Sequence, residues 1–235
     1  MTTDAWIALA RGPLFRISLA VFVLGLGYLV AETVLSAFST WRRAGDRVLP
    51  VGAIARATAR WILPVRLIRA HPLASVASVV FHAAILLVPL FSLGHVALWR
   101  TGTSIPWPVL PAGVADGLSV AALAALAGLA IGRLSSRVGR GLSRAQDLLV
   151  LVLLGGVVGA GLLAAHPAWA PVDARAMLLA HLLLADATLA LVPLTKMAHC
   201  VLFPFLQLVF EVGWHFPAET GRHVAIALAK ENEPV

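Results

Sequence analysis

Four histidines stand inside stretches apolar enough to lie in a bilayer. His82 and His95 fall in VFHAAILLVPLFSLGHVALW, and His181 and His199 fall in AHLLLADATLALVPLTKMAHCVLFP. An ionisable side chain in hydrocarbon is costly and needs a partner. A neutral imidazole bound to haem iron has one. His181 and His199 are eighteen residues apart. On one straight helix that is five whole turns, so both rings leave the same face, with Cα atoms about 27 Å apart. This is nearly the thickness of a hydrocarbon core. A histidine near each side of the membrane on one face is what two stacked haems require.

Depth sorts the four into pairs. His95 lies five residues inside Arg100, and His181 five residues inside Ala176. Both sit about 7 to 8 Å below one boundary, on antiparallel helices. His82 lies about 20 Å further in than His95, and His199 about 27 Å further in than His181. His95 with His181 therefore makes an outer pair, and His82 with His199 an inner pair matched less closely. Thirteen residues turn a straight helix by about 220°, which sets His82 and His95 on different faces. Pro89 lies between them, and Pro193 between His181 and His199, where either can kink the helix. A rival choice on the earlier stretch is His71 with His82, about 20° apart in projection. His71 follows Arg69-Ala70 and precedes Pro72, which places it at the membrane rim.

Blander roles stand beside these. A lone histidine in an apolar span is commonly a hydrogen-bonded core residue, so one haem, or none, is the alternative to two. A haem-free anchor or transporter component would use the histidines as polar glue or a proton path. His166, His215 and His223 read as interfacial or solvated, and Cys200 as a small core residue. Lys196 suits a haem propionate or a snorkelling role. Asp186 and Glu32 suit a cation partner, a proton relay or a satisfied structural group.

The elements that must position these residues are membrane helices. The 235 residues are 60% apolar and 12% charged, with a mean hydropathy of +0.91. A soluble domain carries about twice that charge. The net charge of +7 then reads as membrane topology and not as nucleic-acid binding. The single cysteine excludes an intramolecular disulfide, a CxxC pair, a c-type haem attachment and an iron–sulfur cluster held by this chain alone. Five spans are expected, at about 17–38, 72–99, 113–132, 148–165 and 176–204, each long enough to cross as a helix. The apolar run after Arg16 is too long for a signal-peptide core and reads as the first span.

Arginines set the orientation. Arg42, Arg43, Arg47, Arg56, Arg60, Arg66 and Arg69 fill the first connection, and Arg133, Arg137, Arg140 and Arg144 the third. The positive-inside rule places both in the cytoplasm, with the N-terminus outside and the C-terminus inside. Trp41, Trp61, Trp99 and Trp107 suit interfacial belts. The 45–69 connection suggests an amphipathic surface helix or simple topology signalling. The proline-rich stretch 101–111 suggests an ordered outer loop or cap. Gly128 with Gly132, and Gly155 with Gly159, are spaced for close helix packing.

The order of features resembles a known family: five spans, FH then GH on the second, and LVPLTKMAHCVLFP with a histidine eighteen residues before its own. The chain is similar to the cytochrome b, or gamma, subunit of respiratory nitrate reductase. It is also similar to that subunit's relatives that pair with heterodisulfide-reductase-like iron–sulfur proteins. The resemblance implies an all-α bundle of five membrane helices in the cell inner membrane, holding two haems b. His82 and His199 would be the axial ligands of the inner haem, and His95 and His181 of the outer one. It implies electron transfer between membrane quinone and a cytoplasmic iron–sulfur subunit, within a larger respiratory complex and without catalysis by this chain alone. Nitrate reductase subunits space the second-span histidines ten residues apart. Here they are thirteen apart, and Ser92 holds the ten-residue position, which favours the heterodisulfide-reductase-associated branch.

Overall fold

The structure is a computed structural model that describes residues 2–43, 51–62, 65–103, 105–213 and 220–231. Arg47 and His215 lie outside the described residues, as do the side chains of Trp61 and Trp99. The described residues are all-α, without a strand. Five helical segments are long and apolar enough to cross a membrane: Thr3–Arg43, Pro72–Phe91, Ala112–Ser135, Ala145–Ala165 and Ala174–Leu191. The protein is a multi-pass membrane protein.

The first segment joins α1 (Thr3–Leu9) to α2 (Phe15–Arg43) through a π-helical stretch, Ala10–Leu14, that contains Pro13. Proline lacks an N–H and crowds the carbonyl four residues back. Widening to π geometry lets the helix pass through it without ending. The helix therefore overruns the expected 17–38 at both ends. Next come α3 (Val51–Ile62), which is amphipathic with Arg56 and Arg60 exposed, and α4 (Val65–Ala70).

The expected second span is two helices. α5 (Pro72–Phe91) stops at Ser92, whose backbone is extended, and α6 (Leu93–Thr103) starts beyond it. Pro89 cannot donate to the carbonyl of Ile85, so the last turn of α5 is already weakened. The break frees the carbonyls of Leu90 and Phe91, and the proline-rich stretch Ile105–Pro111 supplies their donors. Trp107 Nε1 donates to Leu90 O at 2.8 Å. The Leu110 N–H donates to Phe91 O at 2.8 Å. The Trp107 ring stacks on Phe91 with centroids 6.1 Å apart, and Arg100 donates to the Trp107 carbonyl. The loop is an ordered cap on the break, which keeps the backbone polar groups of the break satisfied.

α7 (Ala112–Ser135) and a short α8 (Arg137–Leu142) lead to α9 (Ala145–Ala165). Asp147 closes a capping box at the start of α9, accepting from the Arg144 N–H at 2.8 Å. A 3₁₀ turn, Pro167–Trp169, and the N-terminal cap Asp173 introduce α10 (Ala174–Leu191). The expected fifth span also breaks. A turn holding Pro193, then a 3₁₀ turn Lys196–Ala198, separate α10 from α11 (His199–Gly213). α12 (Thr220–Ala227) follows.

The chain forms two compact units. The first is Met1–Ser18 with Val65–Leu189, and the second is Leu19–Pro64 with Ala190–Val235. In the first, α7 packs on α5 and on α9. Its core is Phe81, Ala84, Ala122, Ala125 and Leu126. Small residues line this core while Leu73, Ile131 and Val152 face outward, the pattern of helices packed in lipid. Gly155 lies against Leu126, where a Cβ would come within 3.2 Å of the leucine. Gly128, Gly132 and Gly159 have nothing within 4 Å of a Cβ, so the packing role expected of these three is not seen. In the second unit α3 packs on α11. There Gly25 of α2 lies against Pro193, with 2.7 Å between an added Cβ and the proline ring.

Candidate functional site

His95 and His181 meet inside the first unit. Their ring centroids are 5.7 Å apart and the ring planes cross at 51°. Two imidazoles on opposite faces of one iron, each nitrogen about 2 Å from the metal, have centroids roughly 6 Å apart. The separation fits two axial ligands on one haem.

Each ring is oriented through Nδ1. His181 Nδ1 lies 2.8 Å from the Val157 carbonyl of α9. A carbonyl only accepts, so Nδ1 carries the proton and the Nε2 lone pair is left for a ligand bond. Gly161 makes room for this ring, since a Cβ there would lie 2.8 Å from Nδ1 and 2.9 Å from Cε1. His95 Nδ1 lies 2.6 Å from the Ser92 hydroxyl. The residue at the ten-residue position is thus a direct partner of the histidine three residues on. Ser92 also accepts the Val96 N–H at 2.9 Å, so one residue ends α5, starts α6 and holds the His95 ring.

The inner histidines are built differently. His82 is exposed on α5, and its Nδ1 donates to its own helix, to Ser78 O at 2.7 Å. Phe81 meets it edge-on at 5.4 Å. His199 is exposed at the start of α11, and its Nδ1 donates to Lys196 O at 2.6 Å. His82 belongs to the first unit and His199 to the second. Both rings carry the proton on Nδ1, the tautomer that leaves Nε2 for a metal.

Two expectations need correction. The five-turn argument for His181 and His199 needs one straight helix, and α10 ends at Leu191. The 220° mismatch between His82 and His95 likewise assumes one helix, and the break at Ser92 removes it.

No family model matches the chain, and no solved structure matches it. A curated protein of Nitratidesulfovibrio vulgaris (strain Hildenborough), carried under the name "Protein", is 32% identical over 206 residues, covering 83% of this chain and 88% of its own length. The chain belongs to that protein's family.

Other residues of this family member fall as follows. Among the described residues no group of three or more His, Cys, Asp or Glu gathers as a metal-ion site. The donor set at the outer pair is two imidazoles, as a haem needs. Asp186 is only 4% exposed on α10, and its Oδ2 has no hydrogen-bond partner among the described residues. Glu32, Lys196, His71 and His223 are exposed. Cys200 is exposed and donates to Met197 O, so it is not the core residue expected. His166 is not simply interfacial. Its Nε2 is buried 3.1 Å from Asp116 Oδ1, off the line of a hydrogen bond. Sequence reading missed this pair because fifty residues separate its members. The only hint was an Asp near the start of one span and a His at the end of another.

Proposed function

We propose that the chain is the di-haem b membrane subunit of a respiratory complex, carrying electrons between membrane quinone and a cytoplasmic iron–sulfur partner. The observation that carries the reading is the His95–His181 pair, two imidazoles with ring centroids 5.7 Å apart. His181 is tied by its Nδ1 proton to a neighbouring helix. His95 and His181 hold the outer haem, and His82 and His199 the inner one. The arginine distribution supports an N-terminus outside and a C-terminus in the cytoplasm, and the resemblance supports a cell inner membrane. The resemblance to nitrate reductase gamma subunits and their heterodisulfide-reductase-associated relatives supports the same assignment.

When bound, haem supplies one-electron exchange between ferric and ferrous iron. The chain's own work is ligation, orientation and exclusion of water. The Val157 carbonyl and Ser92 hydroxyl fix the ring planes of the outer pair, as partners of ligand histidines do. The flat surface of Gly161 lets the His181 ring lie close to α9. The apolar helices around the pair exclude water, and low polarity shifts haem potentials.

The alternative is a haem-free anchor, and the same His181–Val157 bond favours it, since it ties two helices as polar glue. A pyridine haemochrome spectrum of the purified protein separates the two. About two haems b per chain is the expected result, and absence of a Soret band removes the proposal.

A further inference from the structure

The end of α9 carries a second polar pair that the four histidines do not use. His166 follows the last residue of α9, and Asp116 lies in α7. His166 Nε2 is buried 3.1 Å from Asp116 Oδ1, while the two side chains are 29% and 35% exposed. The exposed part of the imidazole is therefore its other edge. Trp169 stacks on the ring with centroids 4.2 Å apart and planes 18° apart, and is itself 60% exposed.

The pair has a defined position relative to the outer histidines. His181 is bonded to Val157 and lies against Gly161. His166 is five residues beyond Gly161, about 7.5 Å further along α9 and away from its arginine-rich start. Several other charged groups at this end of the unit are engaged elsewhere. Arg175 pairs with Asp4 at 3.1 Å, Asp173 caps α10, and Arg100 donates to the Trp107 carbonyl.

A carboxylate 3.1 Å from one imidazole nitrogen favours the cation formed when the other nitrogen takes a proton, by the proximity of opposite charge. We propose that the Asp116–His166 pair is the proton acceptor for quinol oxidised beside His95 and His181. This rests on the di-haem reading. The quinol loses two electrons and two protons and becomes the quinone. Its two O–H bonds break in turn, and each proton passes to the outward edge of His166 and on to water. The two electrons would be taken up, one at a time, by the haem that His95 and His181 would hold. Asp116 stays ionised and holds the imidazolium. The exposed face of Trp169 offers the quinol ring a stacking surface.

Two measurements on the purified chain in lipid nanodiscs test this. Binding of a fluorescent hydroxyquinoline N-oxide, a quinol mimic, is read by quenching, and haem reduction by duroquinol is read by stopped flow. His166→Leu should weaken N-oxide binding at least about tenfold, through the loss of a hydrogen bond to the bound ligand. His166→Gln keeps a hydrogen-bonding amide but cannot be protonated. It should bind within about threefold of wild type yet slow reduction by quinol about 100-fold, the usual worth of a positioned base. Asp116→Asn should slow the same step, and dithionite should reduce every variant fully. Wild-type binding and wild-type quinol rates in both His166 variants would overturn the proposal, as would a wild-type chain that fails to bind the N-oxide. Haem content is measured separately. A haem-free chain that still loses N-oxide binding in His166→Leu would sink the di-haem reading and keep this site.

Discussion

The outer and inner histidine pairs are held by different means. His181 is oriented by a carbonyl on another helix, and His95 by a serine that also forms the helix break beneath it. Both are partly covered, and both belong to one unit. His82 and His199 are exposed, and the Nδ1 of each donates to a carbonyl three or four residues back. A ligand held by tertiary structure is positioned before its metal arrives, and its site costs less to organise on binding. A ligand held by its own helix has a fixed tautomer, but its partner across the haem must come from elsewhere. The outer site should therefore be the more pre-formed of the two.

This difference can be broken from either side. The larger effect is expected at Gly161. A Cβ there would lie 2.8 Å from His181 Nδ1, so Gly161→Ala should displace the ring and weaken the outer haem by about 10- to 100-fold, the range for disturbing a ligand's orienting shell. Haem titration of the variant should show one site lost and one kept. A smaller effect on the opposite site is expected at Gly25. A Cβ there would lie 2.7 Å from the rigid Pro193 ring, in the turn that leads to Lys196–Ala198 and His199. Gly25→Ala should destabilise the chain by about 1–3 kcal/mol, as overpacking does. Its thermal melt should fall, and haem loss should concentrate at the inner site. Equal loss at both sites in either variant would erase the distinction.

The membrane helices were legible because hydropathy over some twenty residues is a local property. Their breaks were less so. Pro89 and Pro193 marked where helices weaken, but the stop at Ser92 depends on Trp107 and Leu110 reaching back to the carbonyls of Leu90 and Phe91. A donor seventeen residues downstream leaves no trace in helical periodicity. Depth matching brought His95 and His181 together correctly even though it assumed unbroken helices. It succeeded because it needed only their distance from one end of each span, and the breaks fall on the other side of those residues. The glycine pairs failed for the opposite reason. Spacing says which residues share a face but not which face meets a neighbour, and only Gly155 of the four meets one. The Asp116–His166 contact joins two span ends, and nothing along the chain links them.

The most direct measurement is the haem content of His95→Ala and His181→Ala, made singly and together. If iron sits between these two imidazoles, each single variant and the double variant should retain one haem b per chain of two, and that retained haem should be lost in His199→Ala. Wild-type haem content in either single variant, or a different haem lost in each, would contradict the account.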